Sequence, residues 1–217
     1  EHIFIEVILV KSIESIKDRS NVFYINDAQR LYDYAVNNNQ TNKPPIMQKL
    51  YNEYTQFTLI DGTEKILLNE ATITSQDILD ITDNSKSRLL MCKLSNNCTS
   101  IDNSCFQDCS NLISIEYINQ SSTTITRQLT SIGEFAFENC QSLQECRLFD
   151  ISNNIENLGE SCFKNCTSLY KISIENTIIQ TLPSNCFENC TQLVNIVFND
   201  RVQDISLNCF KNCSIYN

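Results

Sequence analysis

The middle of the chain, residues 129–143, reads LTSIGEFAFENCQSL. The Phe-x-x-Cys motif inside it occurs five times, and successive copies begin 31, 26, 24 and 23 residues apart, at Phe106, Phe137, Phe163, Phe187 and Phe210. Self-similarity with a period of about 20 to 50 residues is the signature of repeat architectures. We therefore predict an array of stacked repeats in the C-terminal part of the chain.

The residues around each motif keep a fixed register. An aliphatic residue precedes each Phe by five positions: Ile101, Ile132, Leu158, Leu182 and Ile205. A leucine follows four of the cysteines by three positions, and apolar residues then alternate with polar ones, which is typical of a β-strand. This register predicts a short helical turn and then one strand in each repeat. The strands are expected at about residues 90–94, 114–118, 145–149, 171–175 and 195–199.

A single repeat of this kind cannot bury its apolar side chains, whereas stacked repeats join them into one continuous core. The predicted fold class is α+β: a solenoid with one short parallel strand per repeat, preceded by a small α+β N-terminal capping module. We place the boundary between residues 1–87, which contain no cysteine and no repeat, and residues 88–217. Within the first part we expect a strand at residues 3–10, a helix at residues 28–37 and a hairpin turn at Asp61-Gly62.

Residues 129–143 resemble the leucine-rich repeats of the BspA type, also called the Treponema pallidum type. Such repeats occur in bacterial surface proteins and in parasitic protists such as Trichomonas and Entamoeba, and the resemblance favours a protist source. It covers about residues 88–217 as about five repeats, the last one incomplete, and implies a leucine-rich-repeat solenoid. The small alanine of the repeat is kept as Ala136, but cysteine replaces it in the other copies: Cys105, Cys162, Cys186 and Cys209.

All twelve cysteines lie at or beyond Cys92. Seven of them replace aliphatic or alanine residues of other copies, and five end the Phe-x-x-Cys motif. Because an unpaired cysteine behaves as a small hydrophobe, we favour buried core thiols. Disulfides and zinc ligands are the alternatives, since the Cys-x-x-x-Cys pairs have a spacing found in structural zinc sites. No cofactor and no metal ligand is predicted.

Composition excludes several function classes. The formal net charge of -10 repels phosphate backbones, so nucleic acid is not an expected partner. No apolar run is long enough for a membrane span. The single histidine, His2, and only three glycines argue against catalytic Ser-His or Cys-His pairs and against glycine-rich phosphate loops. We therefore predict that the chain is not an enzyme, and an enzyme within residues 1–87 is the least favoured alternative.

The favoured function is a non-catalytic protein–protein interaction scaffold that binds its partner on the concave strand face. Side chains alternate along a strand, so the residues between the buried positions face outward in two rows. The predicted partner-binding residues are Ser114, Glu145, Lys171 and Asn195 in one row and Glu116, Arg147, Ser173 and Val197 in the other.

The resemblance implies an alternative function, a cell-surface adhesin or antigen that binds host or neighbouring-cell proteins. The compartment stays open, because twelve free thiols favour a reducing cytoplasm whereas the resemblance implies the cell surface. The chain does not begin with Met, so we expect a processed or partial chain that belongs to a larger assembly or a longer protein.

Overall fold

The structure is a computed structural model that describes residues 22–24, 54–68, 71–118, 126–150 and 154–215. Two predicted features lie outside the described residues: the strand at residues 3–10 and the helix at residues 28–37.

The described residues form fourteen strands, one α-helix and two 3-10 turns. The N-terminal elements are β1 (Val22–Tyr24), β2 (Tyr54–Leu59), β3 (Glu64–Leu68), β4 (Thr72–Ile73), helix α1 (Ser75–Ile81) and a 3-10 turn at Lys86–Arg88. The remaining strands are β5 (Leu89–Leu94), β6 (Ser100–Ile101), β7 (Ser114–Tyr117), β8 (Ser131–Ile132), β9 (Glu145–Cys146), β10 (Asn157–Leu158), β11 (Lys171–Ser173), β12 (Thr181–Leu182), β13 (Asn195–Val197) and β14 (Asp204–Ile205). The second 3-10 turn is Arg147–Phe149.

The chain winds into a solenoid whose successive coils stack through parallel strands. The longer strands pair in parallel as β5–β7–β9 and as β11–β13. The predicted parallel strand of each repeat is therefore confirmed. Each coil also carries a second strand of two residues, which pair as β4–β6–β8–β10 and as β12–β14. The sequence did not indicate this second strand, because two residues are too few to show an alternating pattern.

A β-hairpin covers the N-terminal side of the first coil. Strands β2 and β3 are antiparallel around Asp61-Gly62, and Gly62 has a φ of 81°, so the predicted hairpin turn is confirmed. β2 also pairs antiparallel with β5, and β4 pairs with β6. The sheets of the repeats thus continue into the residues before 88, and the domain boundary at residue 87 stays a prediction.

The segment around each Phe-x-x-Cys motif is not helical, so the predicted helical turn is wrong. Two residues in each copy have a positive φ: Ser104 and Asp108, Phe135 and Asn139, Ser161 and Asn165, Asn185 and Asn189, and Asn208 and Asn212. A left-handed residue cannot continue a right-handed helix. Four of the ten are asparagines directly before the last cysteine, and Asp108 occupies the same position in the first motif. Asparagine and aspartate tolerate this backbone region better than other side chains.

Backbone hydrogen bonds between coils take the place of helical ones. At each of the four junctions between these motifs, three N–H groups of one coil donate to carbonyl oxygens of the next at 2.7–3.0 Å. In the third junction the backbone N–H groups of Ser161, Phe163 and Asn165 donate to the carbonyls of Ser184, Cys186 and Glu188. We call this stack of motifs the turn ridge.

Three side-chain ladders run along the turn ridge. The five Phe rings stack nearly parallel, with centroids 5.0–5.4 Å apart. Each thiol that ends a motif after the first donates to the carbonyl of the Phe in the preceding coil, as from Cys166 Sγ to the oxygen of Phe137 at 3.1 Å. Asn139, Asn165, Asn189 and Asn212 each donate from Nδ2 to the side-chain oxygen of the preceding coil at 2.7–2.8 Å.

The predicted strand at residues 145–149 is wrong beyond Cys146, where a 3-10 turn follows. Leu148 and Phe149 are consecutive residues, and both are completely buried. A strand points consecutive side chains to opposite faces, and the outward face of this sheet is exposed, so a strand here would leave one of the two side chains in solvent. The Phe149 ring also packs against Phe163, with centroids 6.2 Å apart, so the core draws the chain out of the strand.

Replacing Phe163 with Ala should lower the free energy of unfolding by about 3–5 kcal/mol, the usual range for emptying a buried aromatic site. Phe163 is fully buried and stacked on both faces. The matched control is Phe210→Ala in the last coil, where the ring is only partly buried and stacks on Phe187 alone, so we expect a smaller loss. Equal losses in urea denaturation would contradict the stacked core.

The two cysteines of one motif should differ in their tolerance of alanine. Cys162→Ala should cost less than about 1 kcal/mol, because Ala136 fills the same position one coil earlier. Cys166→Ala also removes the hydrogen bond to the Phe137 carbonyl, and we expect an additional cost of about 1 kcal/mol. Chemical denaturation of both variants measures the difference, and a larger loss for Cys162→Ala would show that the thiol ladder does not matter.

Candidate partner-binding site

The longer strands place the predicted partner-binding residues side by side on the strand face. Ser114 lies opposite Glu145 in the β7–β9 pair, and Lys171 lies opposite Asn195 in the β11–β13 pair. In the second row, Ser173 lies opposite Val197, while Glu116 lies opposite Lys93 of β5. Arg147 belongs to the 3-10 turn rather than to a strand, so the second row is displaced at that coil.

The strand ladder is interrupted between the third and fourth coils. β9 pairs with β7, and β11 pairs with β13, but the described strands show no pairing between β9 and β11. The early end of β9 leaves only two residues that could pair with β11. The interruption therefore follows from the same buried Leu148 and Phe149 that form the 3-10 turn.

A shallow depression of about 150 Å³ opens at this interruption. Four of the predicted partner-binding residues line it: Glu145, Arg147, Lys171 and Ser173. The rest of the lining is Cys146, Asp150 and Tyr170. The structure thus brings half of the predicted set together around one feature. Ser114, Glu116, Asn195 and Val197 lie outside its lining.

Glu145 connects the two sides of the depression. Its carboxylate accepts a hydrogen bond from Arg147 Nε at 2.6 Å and another from the Tyr170 hydroxyl at 2.9 Å. The Arg147 guanidinium also lies 3.8 Å from the Glu116 carboxylate. The hydrogen bonds from Arg147 and then Tyr170 lower the pKa of Glu145, and the Glu145 carboxylate in turn raises the pKa of the Tyr170 hydroxyl. Both ionisation states are thereby fixed near neutral pH.

Tyr170 is the residue that the sequence prediction missed. It directly follows the repeat leucine Leu169, one position before the outward rows, and 43% of it is exposed. Ile113 and Val194 occupy the same position in other coils and are 37% and 42% exposed. The sequence contained a signal for this position, because an apolar residue directly after the repeat leucine is not needed to fill the core. The leucine and the inward strand residues already fill it. We call the exposed set Ile113, Tyr170 and Val194 the apolar row.

The cysteines lie in the core or pack against it. All twelve are free thiols; eleven are buried and Cys213 is partly exposed. Burial raises the pKa of Cys146 to about 12, and it raises the pKa of Cys213 to about 11. Across the described part of the chain, no group of three or more His, Cys, Asp or Glu residues could hold a metal ion. In the same residues no helix is long and apolar enough to cross a membrane.

The similarity to one solved structure supports the fold. A leucine-rich cell surface protein from Faecalibacterium prausnitzii A2-165 matches with a TM-score of 0.56 and 19% identity, over 69% of this chain and 36% of that one. A leucine-rich repeat protein from Bacteroides ovatus ATCC 8483 matches with a TM-score of 0.41 and 26% identity, over 58% of this chain and 35% of that one. This chain therefore spans about a third of the length of these proteins. Both sources are bacterial, and the protist source stays a prediction.

The search of curated proteins finds no match to this chain. The family model of the BspA type leucine rich repeat region matches residues 63–126 and 116–217, with six copies. These residues include every Phe-x-x-Cys motif and every strand from β4 onward. The chain belongs to the family of BspA-type leucine-rich repeat proteins.

Proposed function

We propose that this chain is a non-catalytic protein–protein interaction scaffold whose partner binds the strand face, centred on Tyr170 and Arg147. The observation that carries the proposal is the exposed Tyr170 ring, held in place by its hydrogen bond to Glu145 beside the exposed Arg147. Tyr and Arg are enriched among the residues that dominate binding energy in protein interfaces. A side chain already fixed in one orientation loses less conformational entropy on binding.

The surroundings of Tyr170 suit a protein partner. The apolar row supplies surface that water solvates poorly, and the polar rows beside it supply hydrogen-bonding groups, the combination of apolar centre and polar rim found in protein interfaces. The Lys171 side chain is exposed next to Tyr170 and forms no hydrogen bond or ion pair with other described side chains. The depression is shallow and smaller than the roughly 300–1,000 Å³ of pockets for small molecules.

The chemistry of the strand face gives no support to catalysis. The hydrogen bond from Arg147 keeps the pKa of Glu145 low, so this carboxyl is not available as a general acid near neutral pH. Burial raises the pKa of the Cys146 thiol to about 12, which makes it a poor nucleophile. These directions oppose the shifts that active sites use, and they support a binding function.

The alternative function is that of a cell-surface adhesin or antigen. It is favoured by one observation, that the similar protein from Faecalibacterium prausnitzii is described as a cell surface protein. The same strand face would then bind a host or neighbouring-cell protein, so the two functions differ in compartment rather than in site.

Thiol labelling separates the two compartments. A rise of the pKa from 9.0 to about 11 lowers the thiolate fraction of Cys213 at neutral pH about a hundredfold, so labelling should be slow and should speed up as the pH rises toward 11. We expect only Cys213 to react in the folded protein. Twelve thiols in urea, on protein from its native source, support a reducing cytoplasm, whereas fewer than twelve support an oxidising cell surface. Fast labelling of several thiols in the folded protein would contradict the buried core.

Substitutions at the centre of the strand face test the site itself. Tyr170→Ala, and separately Arg147→Glu with Lys171→Glu, should each reduce partner capture about thirtyfold, the effect of losing about 2 kcal/mol at a dominant contact. Quantitative mass spectrometry of proteins captured from an extract of the source cells provides the measurement.

The matched control is Arg201→Glu, which reverses an exposed arginine outside the strands. It should leave capture unchanged, and all variants should keep the stability of the wild type within about 0.5 kcal/mol. Capture of the same proteins in equal amounts by all variants would move the site away from the strand face.

A further inference from the structure

The last described coil ends in an apolar surface that the earlier coils do not show. Phe198, Ile205 and Leu207 are 41%, 49% and 75% exposed. One coil earlier, Ile174 occupies the position of Phe198 and Leu182 the position of Ile205, and both are buried. The Phe210 ring stacks on Phe187 with one face and meets Phe198 edge-on, with centroids 6.3 Å apart, and no second described ring stacks on it. We call the set Phe198, Ile205, Leu207 and Phe210 the end face.

The backbone at the end face has a defined polarity. At the four junctions of the turn ridge, N–H groups of one coil donate to carbonyls of the next coil. The corresponding N–H groups of the last coil belong to Asn208, Phe210 and Asn212, and none has a backbone acceptor among the described residues. Along the two-residue strands the direction is reversed, because Gly159 and Ser206 donate to the preceding Ile132 and Leu182. The carbonyl of Ile205 is the next acceptor in that series.

We propose that the end face binds a polypeptide coil of the same repeat class, which adds to the stack in the parallel register of the existing coils. Such a coil presents carbonyl oxygens to the three N–H groups of the turn ridge and an N–H group to the Ile205 carbonyl. It also covers the Phe210 ring and the apolar side chains around it. One partner thus satisfies the hydrogen bonds and the apolar surface together.

A second copy of the chain fits the end face less well. Two end faces turned toward each other reverse the chain direction at every edge, so the parallel register of the four junctions cannot form. The opposite end of a second copy is already covered, since β2 pairs with β5 and Lys86 Nζ donates to the carbonyls of Ser104 and Cys105 at 3.0 Å. The partner is therefore a coil of this repeat class from another protein rather than a second copy of this chain.

A peptide with the sequence of residues 171–191 is the probe. It contains a longer strand, a two-residue strand and a Phe-x-x-Cys motif in the order that the end face requires. We expect saturable binding of a labelled peptide to the full chain. Hydrogen exchange at Asn208, Phe210 and Asn212, fast in the chain alone, should slow at least tenfold in the complex.

The paired substitution Ile205→Asp with Leu207→Asp should weaken peptide binding at least tenfold. The control Ile60→Asp changes an exposed isoleucine in the N-terminal hairpin and should leave it unchanged. Binding that survives the paired substitution would overturn the proposal. So would a dimer of the chain alone, seen in sedimentation, that the paired substitution dissociates.

A covalent fusion provides a second test, because a free peptide loses conformational and translational entropy on binding and could bind too weakly to detect. By the spacing of the motifs, Asn217 occupies the register position of Val194 and Tyr170, so residues 171–191 are appended directly after Asn217. The fusion should raise the melting temperature and slow exchange at the same three amides. An unchanged melting temperature and unchanged exchange would overturn the proposal even if the peptide gave no signal.

Discussion

The close approach of neighbouring coils is the constraint on which the rest of the structure depends. Phe rings stacked 5.0–5.4 Å apart leave no room for a side chain between coils, and backbone groups meet directly across the same gap. Gly159 shows how tight this is, because a Cβ there would lie 2.2 Å from the backbone nitrogen of Glu134 in the neighbouring coil. Everything that lies between coils must therefore be small, flat or part of the backbone.

This spacing explains the unusual cysteine content. A position between coils that must be small and apolar accepts alanine or cysteine, and Ala136 and Cys162 are equivalent in this sense. The last cysteine of each motif after the first has a further role, because its thiol donates a second hydrogen bond to the Phe carbonyl of the preceding coil. Phe137, for example, accepts from the backbone N–H of Cys140 and from the Cys166 thiol. Low reactivity then follows from burial, which raises the thiol pKa wherever the core excludes water.

The same packing shapes the candidate site. The buried pair Leu148 and Phe149 ends β9 early and interrupts the strand ladder, and the interruption becomes the depression beside Tyr170. The irregular packing of Leu148 and Phe149 in the core thus produces the depression on the surface. The Glu145 carboxylate then fixes Tyr170 and Arg147 on either side of it.

The sequence by itself determined the repeat, its register, the parallel strands and the burial of the cysteines, because each depends on spacing that recurs along the chain. It also placed Glu145, Lys171 and Ser173 on one face, since alternation within a strand is a local property, whereas Arg147 lies in a 3-10 turn. It did not predict the left-handed turns, because a helical spacing of side chains does not reveal where the backbone hydrogen bonds go.

Only the tertiary structure decided the end of β9, the depression and the position of Tyr170 beside it. These depend on how Phe149 packs against Phe163, a residue of the next coil. The contact joins residues 14 positions apart, and no local pattern in the sequence records that the core has room for a second consecutive side chain there. The physical reason is that core packing depends on the volumes of side chains that meet across coils, whereas periodicity shows only which positions along one strand share a face.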